Sequence, residues 1–240
     1  MRTGRHYRAD VRYIRTLQKK ENMSRKLILI TYDGGPSNFL PGVDKDRVAY
    51  LRYFKSRVGG SYTNTEIIEY HNNPQLTGAF FETVIQALIT RESVSSLIIV
   101  FCGHGYCTSN GNTFLLLSPQ LTCSVMQLSR MCQGTNTLLI TDCCRNIQVN
   151  LIKPFVLGNT FNVTFSTECG SFAMEDSNGG LYSQELIKAG RGIQPPHPST
   201  NYSIASVHRL AALWLSAATN KQQEAEIFGP QVTQFIFSHK

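Results

Sequence analysis

The sequence lacks the motifs on which the common nucleotide-binding folds depend. It contains no GxxxxGKS/T loop and no GxGxxG segment after an apolar run, so neither a P-loop nor a dinucleotide-binding fold is indicated. It also contains no apolar run of about 18 residues, of the kind that spans a membrane, and no apolar core of a secretory signal. We therefore expect a protein of the cytoplasm, with the nucleus as an alternative.

Metal-binding spacings are also absent among the cysteines. The seven Cys include no CxxC pair, and neither Cys102 with Cys107 nor the vicinal pair Cys143 and Cys144 has the spacing of zinc ligands. An odd number of cysteines in a chain without a secretory signal predicts reduced thiols. We therefore expect no metal, no cofactor and no disulfide framework.

The net charge of +7 comes from one end of the chain. Residues 1–26 contain nine of the 23 Lys and Arg residues and only two acids, whereas bases and acids balance over the rest. Apolar residues at helical spacing between the arginines are typical of a surface or membrane-interface helix, and a solvated extension is the simplest interpretation. Contact of this arm with RNA or a membrane, or an organelle presequence, stays open. Translation could also begin at Met23, directly before the first apolar run.

Short apolar, β-branched runs alternate with amphipathic helical patterns over the remaining chain. The predicted strands are 26–33, 65–70, 96–103, 136–144, 161–167 and 231–239. The predicted helices are 44–60, 76–91, 123–133, 179–190 and 204–220, with a Pro-rich loop at 191–203. Continuous apolar strands between helices indicate a mostly parallel sheet that is covered on both faces. The predicted fold class is therefore α/β, a three-layer α/β/α sandwich in one principal domain.

Two of the predicted strands end in residues that can carry chemistry. The strand 96–103 leads into His104, and the strand 136–144 ends in Cys143 and Cys144. Because functional groups collect beyond the carboxyl ends of parallel strands, an imidazole and a thiol meet there if the two strands are neighbours. A thiolate that attacks a carbonyl and a His that transfers protons are the groups that a cysteine peptidase needs.

The glycines that flank His104 free the backbone around it. Gly105 has no Cβ, so its N–H can approach a substrate closely and stabilise an oxyanion together with the N–H of the nucleophile. The alternative is a core His beside loop glycines, with both thiols as small buried groups. Each motif alone would favour that alternative, but the combination favours a nucleophilic cysteine.

The motifs resemble those of the caspase-like cysteine peptidases of clan CD (peptidase family C14), and the paracaspases and metacaspases more than the animal caspases. The segment "GHGYCTSNGNTFLLL" resembles the His loop of the family, and "LLITDCCR" resembles its D-x-C-R nucleophile loop. "FLPGVDKDRVAYLRYFKSRVGG" is similar to the first strand-to-helix connection. "FSTECGSFAMEDSNGGLYSQEL" and "QQEAEIFGPQVTQFIF" are similar to the start and end of the small-subunit region.

The resemblance covers residues 26–240 and implies a division of the chain. Residues 26–150 correspond to a large subunit and residues 160–240 to a small subunit, whereas residues 1–25 form a basic arm outside the peptidase domain. In the D-x-C-R register Cys144 is the nucleophile and His104 its catalytic partner, and the N–H groups of Gly105 and Cys144 form the oxyanion hole. The spacing from His to Cys is shorter than the roughly 50 residues of caspases, which implies a trimmed loop.

The resemblance also implies which side chain precedes the cleaved bond. Animal caspases bind an Asp with arginines, and Leu40 occupies the position of one of these arginines. Metacaspases and paracaspases bind Arg or Lys with acids, which the match assigns to Asp46, Asp142 and Glu175, with Asp44 as the competing choice to Asp46. A desolvated guanidinium against carboxylates is a strong charge-assisted arrangement. We therefore expect protein or peptide substrates with Arg or Lys at P1, unless these acids are merely solvated or helix-terminal carboxylates.

Many metacaspases bind calcium through acids that follow the His loop. Between Tyr106 and Arg130 this sequence has no Asp or Glu, and because calcium needs several oxygen ligands we expect calcium independence. Activation would then rely on a homodimer or on cleavage after Cys144, where Lys153 precedes Pro154. Two other classes stay open: a catalytically inactive caspase-like scaffold, and a nucleic-acid- or membrane-associated protein that acts through its basic arm.

Overall fold

The structure, a computed structural model, describes residues 24–150, 154–192 and 201–239. Most of the predicted arm, Lys153 and most of the Pro-rich loop therefore lie outside the described residues. The described ranges contain the helices α1 (Val43–Lys55), α2 (Gly78–Thr90), α3 (Val125–Met131), α4 (Leu181–Gly192) and α5 (Ile204–Ala218). None of these helices is long and apolar enough to cross a membrane.

The apolar runs of the sequence form a six-stranded central sheet in the order β13-β9-β7-β3-β1-β2. Its five parallel strands are β1 (Arg25–Tyr32), β2 (Ile67–His71), β3 (Ser96–Gly103), β7 (Asn136–Asp142) and β9 (Phe161–Phe165). The sixth strand, β13 (Glu226–Phe228), is antiparallel to β9. Because β1, β3 and β7 are buried along nearly their whole length, they read in the sequence as continuous apolar runs.

Alternate residues of each central strand point to opposite faces of the sheet, which divides the core in two. In β1, Ile28 and Ile30 belong to the cluster that packs on α2 and α3, whereas Leu27 and Leu29 belong to the cluster that packs on α1, α4 and α5. Helices therefore cover both faces. The predicted three-layer α/β/α sandwich with a mostly parallel sheet is confirmed.

A second, smaller sheet, which was not predicted from the sequence, follows β3 in the chain. Its four strands run in the order β6-β5-β4-β8 and are β4 (Gly105–Thr108), β5 (Thr113–Ser118), β6 (Leu121–Ser124) and β8 (Ile147–Val149). The predicted helix 123–133 is therefore wrong at its start. The helix begins after Ser124, whose side chain forms a capping box with Gln127, a signal that the sequence does contain.

The last predicted strand is wrong in extent and in place. Only β14 (Ile236–Ser238) is extended within 231–239, and it pairs with β12 (Tyr202–Ser203) rather than with the central sheet. The central sheet instead closes with β13. One further pair, β10 (Glu175–Asp176) with β11 (Gly179–Gly180), forms a small hairpin. Strands of two or three residues are too short to produce a readable alternation of apolar and polar residues.

Candidate active site

The strands β3 and β7 lie side by side and end at the same edge of the central sheet. Their register places Cys102 opposite Asp142. His104 and Cys144, each two residues further along, therefore leave the sheet at this edge. The two side chains line the same two cavities. The structure thus brings together the imidazole and the thiol that the sequence singled out.

The imidazole of His104 is held by a backbone carbonyl that the sequence analysis did not identify. Its Nε2 atom lies 2.6 Å from the carbonyl oxygen of Asn38, in the loop after β1. A carbonyl oxygen can only accept, so Nε2 must carry the proton and donate it. In the neutral imidazole the other nitrogen, Nδ1, is then unprotonated and free to act as a base.

The loop that presents Asn38 is fastened at its start by a pair of side chains. Asn72, directly after β2, donates from Nδ2 to the carboxylate of Asp33 at 2.8 Å, and the Asp33 N–H donates to the amide oxygen of Asn72 at 3.1 Å. Asp33 also accepts from the Gly35 N–H at 2.8 Å. These bonds fix the loop between two strands, so they position the carbonyl that orients His104.

The two adjacent thiols lie in different environments. Cys143 is buried and belongs to the apolar cluster under α2 and α3, and burial raises the pKa of its thiol well above the ordinary value. Cys144 is half-buried, with its Sγ 3.9 Å from the carbonyl oxygen of Ala173. Burial also raises the pKa of the Cys144 thiol, and the carboxylates of Asp142 and Glu175 act in the same direction. Thiolate formation at Cys144 therefore needs a base beside it.

The geometry of β4 directs the Gly105 N–H toward the segment that carries Cys144. On the side of β4 that faces β5, the carbonyl of His104 accepts from the Leu116 N–H, and the Thr108 N–H donates to the carbonyl of Asn112. Successive N–H groups of a strand point to opposite sides, so the Gly105 N–H points away from β5. The N–H of Cys107 points the same way as that of Gly105 and donates to Asn146. The close approach requires a glycine, since a Cβ on Gly105 would lie 2.6 Å from the Sγ of Cys143.

The Cys144 N–H donates to no other described residue. Cys144 lies between β7 and β8, outside any strand, and its amide therefore has no ladder partner. The N–H groups of Cys144 and Gly105, two residues that line the same cavity, are therefore candidate donors to an oxyanion. Two such donors are what the oxyanion of an acyl-transfer intermediate requires.

Arg145, directly after the nucleophile candidate, is completely buried and was not assigned a role from the sequence. Its guanidinium stacks 3.8 Å from the centre of the Phe165 ring. The polar partners of the guanidinium are Thr113 Oγ1 at 2.9 Å, the carbonyls of Thr167 at 2.8 Å and Gly111 at 3.2 Å, and the carboxylate of Glu226. The side chain therefore connects the Cys144 segment to β5, β9 and β13, and positions that segment without facing the cavities.

One disulfide corrects the expectation that all thiols are reduced. Cys107, in β4, is bonded to Cys169, in the segment after β9. The other described cysteines are free. The sequence separation of 62 residues gives no local motif, so the pairing could not be read from the sequence. The bond joins the strand that follows His104 to the segment that leads to Ala173.

Three acids from separate parts of the sequence surround a cavity of about 100 Å³ beside the two catalytic candidates. We call it the acid pocket, and the acids are Asp46 in α1, Asp142 at the end of β7 and Glu175 in β10. Asp46 and Asp142 are almost completely buried, whereas Glu175 is exposed. The structure thus brings together all three acids that the family resemblance selected.

Helix geometry distinguishes Asp46 from its competitor Asp44. Residues two positions apart in a helix of 3.6 residues per turn lie on nearly opposite faces, so only one of Asp44 and Asp46 can face the pocket. Asp44 is exposed and accepts from the Arg47 guanidinium at 2.8 Å. Asp46 faces inward and accepts from the Gly180 N–H at 3.0 Å. Asp46 is therefore the acid of α1 that the pocket contains.

The buried acids have neutral donors but no cation. Asp142 accepts from both the N–H and the hydroxyl of Ser183, at 2.9 and 2.7 Å, and a Cβ on Gly180 would lie 2.3 Å from its carboxylate. Among the described residues, no Lys or Arg forms an ion pair with any acid of the pocket. Burial, with the nearby carboxylate of Asp142, raises the pKa of Asp46 to about 9. Burial also raises the pKa of Asp142, and the pKa of Glu175, an exposed residue whose carboxyl group is partly buried, is raised chiefly by that partial burial.

We expect Asp46→Asn to stabilise the fold more at pH 8 than at pH 5. A carboxyl whose pKa rises from about 4 to about 9 on folding binds its proton better in the folded state, so the stability of the native protein falls as pH rises through this window. The amide cannot ionise and avoids that loss. In thermal unfolding, the increase in the free energy of unfolding caused by Asp46→Asn should be larger at pH 8 than at pH 5 by an amount on the order of 1–3 kcal/mol. Asp44→Asn, the exposed control, should show no such excess, and an equal gain from Asp46→Asn at both pH values would contradict the prediction.

A second cavity, of about 340 Å³, also adjoins the catalytic candidates. It shares His104 and Cys144 with the acid pocket but contains none of its acids. We call it the aromatic cavity, after Tyr106, Leu116 and Phe172, which supply its apolar walls. Its remaining lining residues are Asn38, Gly105, Asn146 and Gln148.

In the described ranges no group of three or more His, Cys, Asp or Glu side chains is arranged to hold a metal ion. The acids of the acid pocket face the cavity that adjoins the thiol, and their two buried members are satisfied by neutral donors.

Comparisons with known proteins agree with this architecture. A family model described as the caspase domain, of peptidase family C14, matches residues 25–235. Among solved structures, the crystal structure of Caspase-1 from Spodoptera frugiperda superposes with a TM-score of 0.62, covering 92% of this chain and 93% of that chain at 14% sequence identity. At this identity the structural likeness concerns the fold alone. No curated protein matches the sequence.

Proposed function

The chain belongs to the caspase-domain family of peptidases, and from this membership and the site geometry we propose a cysteine endopeptidase with His104 and Cys144 as its catalytic pair. The observation that carries the proposal is the meeting of the two side chains at the ends of adjacent strands. The fixed tautomer of His104 supports it, because Nδ1 is left as the base. The raised pKa of the Cys144 thiol fits a nucleophile that is activated by its neighbour.

In the proposed reaction, Nδ1 of His104 takes the thiol proton and the sulfur of Cys144 attacks the scissile carbonyl. The N–H groups of Gly105 and Cys144 stabilise the resulting oxyanion. His104 then gives the proton to the departing amine, and the peptide bond breaks to leave a thioester. Water, deprotonated by the same imidazole, hydrolyses the thioester and regenerates the thiol.

We propose that the substrate carries Arg or Lys at P1, because the acid pocket adjoins the thiol and holds three carboxyl groups that no Lys or Arg of the described ranges pairs with. A guanidinium or ammonium group would supply the missing positive charge in a buried site, where such a pairing is strong. An Asp at P1 would add a further negative charge to the same site. The acids therefore favour basic residues over the acidic residues that animal caspases cleave after.

The test of this function is hydrolysis of fluorogenic peptides that end in Arg, Lys or Asp. We expect turnover of the Arg and Lys peptides and none of the Asp peptide above background. Preference for the Asp peptide would overturn the basic specificity. A purified, folded chain that cleaves none of the three would favour an inactive caspase-like scaffold.

We expect peptidase activity to be independent of calcium. Between Tyr106 and Arg130 the sequence has no Asp or Glu, and a calcium ion needs six to eight oxygen ligands. Turnover of an Arg peptide should therefore be the same in excess EGTA and in millimolar calcium. A several-fold rise on adding calcium would contradict the prediction and indicate a site built from other residues.

A further inference from the structure

The aromatic cavity borders the same thiol and imidazole as the acid pocket, yet its lining has a different chemistry. Apart from His104 and Cys144 it contains no ionisable side chain except the phenol of Tyr106. Its walls are two aromatic rings and a leucine, and its polar groups are the neutral amides of Asn146 and Gln148 with the exposed Asn38. A charged side chain would find no counter-charge there and would lose hydration.

The walls of the aromatic cavity differ in how firmly they are held. The Tyr106 ring stacks on Phe114 with the centroids 5.1 Å apart and the planes within 2°, so packing fixes its orientation. Phe172, on the opposite segment, is 65% exposed. An exposed aromatic ring that lines the same cavity as a packed one leaves apolar surface that a ligand can cover.

The position of the aromatic cavity relative to the acid pocket indicates which part of a substrate reaches it. Under the proposed function, the P1 side chain enters the acid pocket and its carbonyl carbon lies at Cys144. The departing amine must lie at His104, which protonates it. The aromatic cavity borders both groups and Gly105 but none of the segment Ala173–Glu175 that walls the acid pocket.

We propose that the aromatic cavity binds the side chain directly after the scissile bond, the P1′ residue, and selects an apolar or aromatic one. This inference rests on the proposed peptidase function and extends its substrate class to a basic residue followed by a bulky apolar residue. Tyr106, Leu116 and Phe172 determine this preference. Charged P1′ residues are disfavoured because the cavity offers no partner for their charge.

The test uses internally quenched peptides of one sequence with Arg at P1 and Leu, Phe, Gly, Asp or Lys at P1′. We expect kcat/KM for the Leu and Phe peptides to exceed that for the Gly and Asp peptides by about tenfold or more, the range that an apolar pocket provides. Phe172→Ala should reduce this ratio to within about threefold of unity. Phe39→Ala, which removes another exposed ring, 61% accessible, that lines neither cavity, should preserve the ratio.

The other outcomes distinguish a failure of this inference from a failure of the proposed function. Cleavage after Arg with equal rates for all five P1′ residues would overturn the inference alone. A Phe172→Ala enzyme with altered preference at the residue before P1, and unaltered preference at P1′, would place the cavity on the acyl side and also overturn it. No cleavage of any Arg peptide would overturn the proposed function and this inference with it.

Discussion

Cys144→Ala is expected to lower kcat/KM for an Arg peptide by at least about three orders of magnitude, whereas Cys143→Ala should keep most of the activity. Removal of a covalent nucleophile leaves only the binding and oxyanion contributions. Cys144 lines both cavities together with His104 and is half-buried. Cys143 lines the acid pocket but not the aromatic cavity, and its buried side chain belongs to the apolar cluster, so Cys144 is the more accessible of the two thiols.

The backbone of Cys143 has its own structural role, which the alanine variant retains. Its N–H donates to Ser166 Oγ at 3.1 Å, and its carbonyl accepts from the same hydroxyl at 3.1 Å. Cys143→Ala therefore tests the thiol alone. Iodoacetamide followed by peptide mass spectrometry provides a second measurement, in which Cys144 should be alkylated first. Preferential labelling of Cys143, or loss of activity in Cys143→Ala with a native melting temperature, would contradict the assignment.

The second large effect is expected at the acid pocket, where Asp142→Asn should reduce kcat/KM for Arg and Lys peptides by tens- to thousands-fold. Loss of one partner of a desolvated charge pair costs on the order of 2–5 kcal/mol. An amide oxygen at this position can still accept from the N–H and hydroxyl of Ser183. The substitution therefore removes charge with little change in shape.

The measurement is the ratio of kcat/KM for a peptide with Arg at P1 to that for the same peptide with citrulline, which has nearly the same shape and no charge. Asp142→Asn should lower this ratio, while Asp176→Asn should not. Asp176 is a matched control because it is an exposed acid of the β10 hairpin, and it accepts from Asn178 and Gln184. An Asp142→Asn enzyme with the native ratio would show that other residues bind the guanidinium.

The elements predicted correctly are those whose pattern is local. The strands β1, β3 and β7 appear in the sequence as uninterrupted apolar runs because both of their faces are buried. Helix α5 appears through its apolar periodicity. Since both β3 and β7 were predicted, the positions of His104 and Cys144 at their ends followed from the parallel arrangement.

The elements that were wrong or missed depend on contacts between distant parts of the chain. The disulfide between Cys107 and Cys169 joins residues 62 positions apart, and no spacing rule identifies such a pair. The buried Arg145 finds its partners in the Gly111 turn, β13 and the segment after β9. The strands β4 and β6 have four residues each and show no alternation of buried and exposed positions, so the periodicity that indicates a strand is absent from them.

The sequence by itself determined the α/β class, the parallel core and the family, because burial on both sheet faces and two short motifs are properties of neighbouring residues. Only the tertiary structure decided the surroundings of the candidate site. It turned Asp46 rather than Asp44 into the acid pocket, placed the Asn38 carbonyl against His104, and formed a cavity without acids that Tyr106 and Phe172 line. Each of these arrangements joins segments that are far apart in the chain, and their meeting is set by how the layers pack on the sheet.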